Sequence, residues 1–195
     1  MPSKKRVGVL ALQGDFEAHA HALQRAGAEA VEVRSAGDLE NIQGLVIPGG
    51  ESTTMWKLLE EERLLEPLLE FGRQKPIFGT CAGAILLARE VSHPAQRSLG
   101  LMDIAVERNA YGRQLESRIT RLQPEGMDGE LEAVFIRAPI IRQVGSDVKV
   151  LATYQGDPVL AEQGRHMVAT FHPELTGDPR IHLMFLRKIS EIAGN

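Results

Sequence analysis

The chain contains one cysteine, Cys81, in the stretch Phe78-Gly79-Thr80-Cys81-Ala82-Gly83. A free cysteine is by type often an inert core residue. This one lies between an apolar strand pattern and a helical pattern, with small residues on both sides. Gly-x-Cys-x-Gly is the thiol form of a nucleophile elbow: the tight turn holds the reactive atom in a strained conformation at the end of a strand. Gly79 and Gly83 leave room for close backbone packing. At the start of a helix, the positive end of the peptide dipoles favours thiolate over thiol. The Ala82 N–H is placed to meet an oxyanion formed on a carbonyl that the sulfur attacks. The chemistry this suits is nucleophilic attack on an acyl carbon.

A thiol nucleophile needs a proton carrier, and the chain has six histidines. His19 and His21 are two apart on a predicted helix, cannot share a face, and read as surface residues. His93 precedes Pro94 in a loop, and His166 reads as part of a polar turn beside Gly164 and Arg165. His182 falls in the last predicted helix and reads as solvated or capping. His172 differs. It follows the apolar run Met167-Val168-Ala169-Thr170-Phe171 and opens His172-Pro173-Glu174. A histidine at a strand's end beside a rigid proline suits the same sheet edge as the elbow. Glu174 has two readings: it orients the imidazole through the other ring nitrogen, or it supplies negative charge ahead of the helix that starts near Pro179.

A second glycine-rich turn, Pro48-Gly49-Gly50-Glu51-Ser52-Thr53, follows a short apolar run. It lacks the spacing of either common phosphate-binding loop. It better suits a close backbone approach to a ligand, with the Gly50 N–H as a second oxyanion donor and Ser52 or Thr53 capping the next helix.

These residues need a scaffold that brings distant turns to one edge. Val7–Leu12, Ala30–Val33, Gly44–Ile47 and Lys75–Gly79 read as buried strands. Phe16–Ala26, Thr53–Glu60, Leu64–Phe71 and Ala82–Arg89 read as helices between or after them. That alternation predicts an α/β three-layer sandwich with a mixed, mainly parallel central sheet. In the second half, Ile104–Arg108, Ser117–Leu122, Leu131–Ile136, Val148–Tyr154, Pro158–Ala161 and Met167–Phe171 read as strands with few helices between them. Some of these should pair antiparallel. Pro179–Ala193 reads as a closing amphipathic helix, with Ile181, Met184, Phe185, Ile189 and Ile192 apolar. No linker divides the chain, so residues 1–195 are expected to form one domain.

Composition narrows the function classes. The net charge of -4 and the absence of a long basic run argue against a nucleic-acid partner. Aromatic content of 5% leaves few bases-stacking platforms. No run approaches the roughly 18 apolar residues of a membrane span, and no secretory signal is evident. With one cysteine and hence no internal disulfide, a cytoplasmic protein is expected.

Gly79-Thr80-Cys81-Ala82-Gly83 together with Phe171-His172-Pro173-Glu174 resembles the class I, or triad, glutamine amidotransferases. Further blocks narrow the resemblance to the glutaminase subunits of pyridoxal 5′-phosphate synthases. They are Leu10-Ala11-Leu12-Gln13-Gly14, Pro48-Gly49-Gly50-Glu51-Ser52-Thr53-Thr54, Arg108-Asn109-Ala110-Tyr111-Gly112-Arg113-Gln114, Phe135-Ile136-Arg137-Ala138-Pro139 and Phe171-His172-Pro173-Glu174-Leu175-Thr176. The resemblance implies a flavodoxin-like sheet and a glutaminase with Cys81 as nucleophile, His172 as base and Glu174 as orienter. It implies oxyanion donors at Gly50 and Ala82, and glutamine-binding roles for Gly50, Glu51, Ser52, Arg108, Ile136 and Arg137. A guanidinium at Arg108 or Arg137 suits the substrate's α-carboxylate. No cofactor and no metal are implied. The implied partner is a (β/α)8-barrel synthase that takes the ammonia and builds pyridoxal 5′-phosphate from ribose 5-phosphate and glyceraldehyde 3-phosphate. That barrel forms a dodecamer with glutaminases outside it, a hetero-oligomer of roughly 12+12 subunits. Gln13 resembles a residue that supports activation at this interface.

Two rivals differ in specific features. A class I glutaminase serving histidine, purine or anthranilate synthesis would share Cys81, His172 and Glu174, but not the Asn109–Gln114 and Pro48–Thr54 blocks. A non-catalytic or redox-sensing module would share the elbow, and would leave His172-Pro173-Glu174 without a purpose.

Overall fold

The computed structural model describes residues 3–109 and 117–194. The block read from Asn109 to Gln114 therefore lies outside the described residues from position 110 onward. The first half alternates as expected: β1 (Arg6–Leu10), α1 (Phe16–Arg25), β2 (Glu29–Val33), β3 (Gly44–Ile47), α2 (Ser52–Glu61), α3 (Leu65–Gln74), β4 (Ile77–Thr80) and α4 (Ala82–Leu87). Then come β5 (Ala88–Ser92), β6 (Met102–Glu107), β7 (Ser117–Leu122), β8 (Leu131–Ile136), β9 (Ile140–Val144), β10 (Lys149–Tyr154), β11 (Asp157–Gln163), β12 (His166–Ala169) and α5 (Arg180–Ala193).

Seven strands form the central sheet in the order β10-β11-β12-β4-β3-β1-β2. The neighbours from β12 to β2 pair parallel, and β10, β11 and β12 pair antiparallel. Both faces of the sheet are covered, so its strands read as continuous apolar runs rather than alternating ones. Side chains still sort by strand periodicity. On β3, Leu45 and Ile47 join Met55, Leu59, Leu68 and Phe71 from α2 and α3. Val46 joins Leu23 of α1 and Ile181 and Phe185 of α5 on the opposite face. This is the mixed, mainly parallel three-layer arrangement expected. Among the described residues, no helix is long and apolar enough to cross a membrane.

Two elements depart from the sequence expectation. The helix expected over Ala82–Arg89 stops at Leu87, and Ala88 turns extended with ψ 150°. Ala88–Ser92 then pairs parallel with β6. Tertiary pairing overrides a local pattern that would continue the helix. β9 was not anticipated, because Pro139 and the polar pair Arg142-Gln143 interrupt its apolar run. It forms by pairing antiparallel with β6, Ile104 opposite Val144. The β7–β8 hairpin makes a separate two-stranded sheet.

His166 is also corrected. It is not in a polar turn but begins β12, buried, with Nδ1 accepting from the Ile77 N–H at 3.1 Å. It thus ties the starts of two parallel neighbours together. Burial is the main cause that lowers its pKa to about 4. The unfolded chain, with an ordinary histidine near 6.5, therefore binds a proton that the folded chain refuses between those values. His166 should cost up to about 3 kcal/mol of stability as pH falls from about 6.5 to 4, with full stability above that window. Urea unfolding across this range should show the loss. His166→Asn, which keeps an acceptor near Nδ1, should flatten the slope by one proton.

Candidate active site

β12, β4, β3 and β1 are consecutive parallel neighbours, so their carboxyl ends open on one edge. The register places Ala169 opposite Thr80 and Ile47 opposite Gly79. The Cys81 N–H donates to the Ala169 carbonyl at 2.9 Å, continuing the ladder one residue past β4. The turns carrying Gln13, Gly49-Gly50, Cys81 and His172 therefore leave the sheet side by side. A crevice at the carboxyl ends of parallel strands is where open α/β sheets bind ligands.

Cys81 has φ +50° and ψ −106°, a region that side-chain-bearing residues rarely occupy. Such a conformation costs on the order of 1–3 kcal/mol and persists only when its surroundings enforce it. Here the flanking glycines allow that enforcement. A Cβ on Gly79 would lie 2.5 Å from the backbone of Gly83, and one on Gly83 would overlap the Ile47 carbonyl. Cys81 is buried, with Sγ 3.9 Å from the Ile136 carbonyl, and Ala82 is the first residue of α4.

His172 and Glu174 meet directly, Nδ1 to Oε1, at 2.6 Å. Both are buried. The turn Pro173–Leu175 sets their spacing, and the His172 N–H donates to the Val134 carbonyl of β8 at 2.8 Å. Burial alone would lower the His172 pKa. Cys81 and Glu174 outweigh it and raise the pKa to about 10. The imidazole is thus suited to hold a proton at neutral pH. Among the described residues, its Nε2 has no hydrogen-bond partner.

Gly49 lies against both His172 and Cys81. A Cβ there would meet His172 Cε1 at 2.6 Å and Cys81 Cβ at 3.4 Å. The backbone of Gly49 thus makes a close approach to the His172 ring, a contact that the reading of this turn as a ligand site did not include. Gly50 has φ +151°, and a Cβ on it would overlap the Gln13 side-chain oxygen. That oxygen accepts from the Glu51 N–H at 3.0 Å, so Gln13 braces the turn.

The cap of α2 is Glu51, not Ser52 or Thr53. Its carboxylate accepts from the Thr53 and Thr54 amides and hydroxyls, reaching further round the turn than a hydroxyl does. Burial works to raise its pKa, but these four bonds bring it down to about 2. Ser52 is buried and donates to Gln96 Oε1 at 2.7 Å. Arg108 reaches the same turn, Nη2 lying 3.3 Å from Glu51 Oε1. Ile136 and Arg137 are exposed at the end of β8, Arg137 with φ +44°. Ile136 approaches Cys81 through its carbonyl.

Two histidines read as surface groups prove fully buried. His19 sits 2.9 Å from His182, Nδ1 to Nε2, and 3.0 Å from the Thr80 hydroxyl through Nε2. The same Nε2 lies 3.3 Å from Glu174 Oε2. The spacing held a signal for both. His19, Ala22 and Leu23 form one buried stripe of α1, and His182, Phe185, Leu186 and Ile189 form one of α5. Each histidine stands three and four residues before apolar partners on its stripe.

Residues 9–191 match the SNO glutamine amidotransferase family. The chain is 62% identical over 191 residues to a Solibacter usitatus protein named pyridoxal 5′-phosphate synthase subunit PdxT, covering 95% of this chain and 100% of that one. A Koribacter versatilis protein of the same name is 55% identical over 184 residues, covering 94% and 95%. A crystal structure of a glutamine amidotransferase superposes with a TM-score of 0.90 at 49% identity, over 94% of this chain and 98% of the other.

The Gly49 contact yields a direct test. In Gly49→Ala the added methyl must push the His172 ring from Cys81. Alkylation of Cys81 by iodoacetamide at neutral pH should slow by about 10- to 100-fold while circular dichroism shows the fold retained. An unchanged rate in the folded variant would refute the contact.

Proposed function

This chain belongs to the SNO glutamine amidotransferase family, and on that premise we propose that it hydrolyses L-glutamine to L-glutamate and ammonia for a pyridoxal 5′-phosphate synthase. The observation that carries the reading is the buried 2.6 Å contact of His172 with Glu174, on the sheet edge where Cys81 sits in its strained turn. In this mechanism the Cys81 thiolate attacks the side-chain carbonyl carbon of glutamine. The C–S bond forms, and the N–H groups of Gly50 and Ala82 receive the oxyanion. The His172 imidazolium, oriented by Glu174, gives its proton to the amide nitrogen, and ammonia leaves as the C–N bond breaks. Water then attacks the glutamyl thioester, His172 takes the water's proton, and glutamate departs as the thiolate returns.

The raised His172 pKa sharpens one step: the imidazole holds a proton at neutral pH, ready for the departing amide nitrogen. Gly50, Glu51, Ser52, Arg108, Ile136 and Arg137 line the substrate side in this reading. Arg108 is already engaged by Glu51. That leaves Arg137 the freer guanidinium for the α-carboxylate, with Arg108 and Glu51 facing the substrate as a pair.

The ammonia passes to a synthase subunit, a (β/α)8 barrel that assembles as a dodecamer with glutaminases outside it. In this reading the chain is a single-domain subunit of that assembly and works in the cytoplasm. Gln13 takes part in activation there, because its side chain braces the turn that carries Gly50.

Cys81→Ala should reduce glutamine hydrolysis to background and abolish labelling by a glutamine-analogue electrophile. Glu174→Gln should lower kcat by roughly 10²- to 10⁴-fold. Glutamate release measured with and without a synthase subunit should rise on mixing, together with pyridoxal 5′-phosphate formation. Labelling that survives Cys81→Ala, or equal turnover with and without the synthase, would count against the reading.

A further inference from the structure

The mechanism above leaves a buried group of titratable side chains unused. Behind Glu174, on the side away from His172, stand His19 of α1 and His182 of α5, both with no exposed surface. Taking histidine and carboxylate out of water is costly unless each polar atom is met. Two histidines from helices at opposite ends of the chain would be poor choices for mere filling of the core.

The contacts define a sequence of atoms. His172 Nδ1 meets Glu174 Oε1 at 2.6 Å. Glu174 Oε2 lies 3.3 Å from His19 Nε2 and has no aligned hydrogen bond among the described residues. His19 Nε2 is 3.0 Å from Thr80 Oγ1, and Thr80 immediately precedes Cys81. His19 Nδ1 meets His182 Nε2 at 2.9 Å, and His182 Nδ1 has no partner among the described residues.

Only one set of tautomers fits these facts well. A lone pair on His19 Nε2 would face a carboxylate oxygen, so that nitrogen carries the proton. His19 Nδ1 is then an acceptor, and His182 donates to it through Nε2. The bare atom that remains, His182 Nδ1, is an acceptor, and buried acceptors are left unmet more readily than buried donors. The titratable groups around His19 are His182 from α5 and His172 with Glu174 from the segment after β12. Arg25 acts on His182. Burial first, then the positive fields of His182 and His172, lower the His19 pKa well below its ordinary value. Burial lowers that of His182 to about 4. Both rings stay neutral wherever the site works, which fixed tautomers require.

We propose that His19 is a positioning residue for Cys81, His172 and Glu174: its Nε2–H donates to the Thr80 hydroxyl beside the elbow and sets the positive end of that N–H dipole 3.3 Å from the second carboxylate oxygen of Glu174, and His182 fixes the tautomer. The consequence follows from the chemistry. With that N–H attracting Oε2, the carboxylate keeps Oε1 on the imidazole, and the imidazole keeps its basicity beside Cys81. Without His19, Glu174 loses the N–H dipole at Oε2, His172 becomes less basic and the thiol less acidic.

The proposal rests on the roles given above to Cys81, His172 and Glu174, and its test separates the two. Cys81 is the chain's one cysteine, so thiolate absorbance and iodoacetamide alkylation report on it alone. In the full chain, His19→Leu should move the acid limb of the alkylation profile up by about one pH unit, slowing alkylation on that limb about tenfold. In the complex with a synthase subunit it should lower kcat for glutamine about tenfold with KM changed less than about twofold. His19→Gln places an N–H near the position of Nε2 and should restore most of both. A folded His19→Leu with the unaltered profile overturns the proposal, as does His19→Gln behaving like His19→Leu. Should His19→Leu not fold, His182→Leu must move the same limb upward, and an unmoved limb overturns the proposal. Loss of the Glu174→Gln effect on the same profile would instead remove the premise about the triad.

Discussion

The parallel pairing of β12 with β4 brings Cys81 and His172 to one place. These residues are far apart in the chain, and each follows a short buried strand. The ladder sets Ala169 opposite Thr80, and the Cys81 N–H extends it by donating to the Ala169 carbonyl. A slip of one residue would reverse every side chain on β12. Val168 and the pair Met167 and Ala169 face opposite layers of core, so such a slip would expose apolar groups to the wrong packing. His166, bonded to the Ile77 amide, pins the other end of the same pairing. The alignment of the site is thus set by the burial of a sheet, not by contacts within the site.

The second constraint is the absence of side chains where backbones must approach. Gly79 and Gly83 let the elbow close, Gly49 lets the His172 ring lie against its backbone, and Gly50 takes a conformation in which Gln13 can brace the next amide. The strained Cys81 is held from both sides by this packing. It is also held by hydrogen bonds from its own amide to β12 and from the Ile85 amide to its carbonyl. Strain at the nucleophile and close packing around it are one device.

The electrostatics depends on the same packing. In a water-excluded site, the attraction of imidazolium for thiolate and carboxylate is little screened, and it offsets the desolvation that would otherwise strip the proton from His172. The sheet supplies the segments that carry these groups, and the helices α1 and α5 supply the layer of histidines behind Glu174. The polar cluster therefore joins the sheet edge to the helical layer of α1 and α5, which ties its geometry to the packing of that face of the core.

Much was legible in the sequence because it is local. Runs such as Gly44–Ile47 followed by Pro48-Gly49-Gly50 mark a strand and its turn, and the glycines around Cys81 mark an elbow through their size alone. The pair His172 and Glu174 was legible to the same extent, since two residues across a proline can reach each other without help from elsewhere. What local pattern could not decide was any contact made by pairing at a distance. Ala88–Ser92 has no strand signal of its own and becomes β5 through β6. Glu51, rather than a neighbouring hydroxyl, caps α2 because its longer side chain reaches both Thr53 and Thr54. His19 and His182 read as solvated because histidine is usually exposed, and only the packing of α1 and α5 on one face of the sheet brings them together behind Glu174. The sequence by itself determined which chemical groups sit in strand-end turns; the tertiary structure decided which of them share a dry pocket, because the cost of burying a polar group is met only by partners that folding brings from elsewhere in the chain.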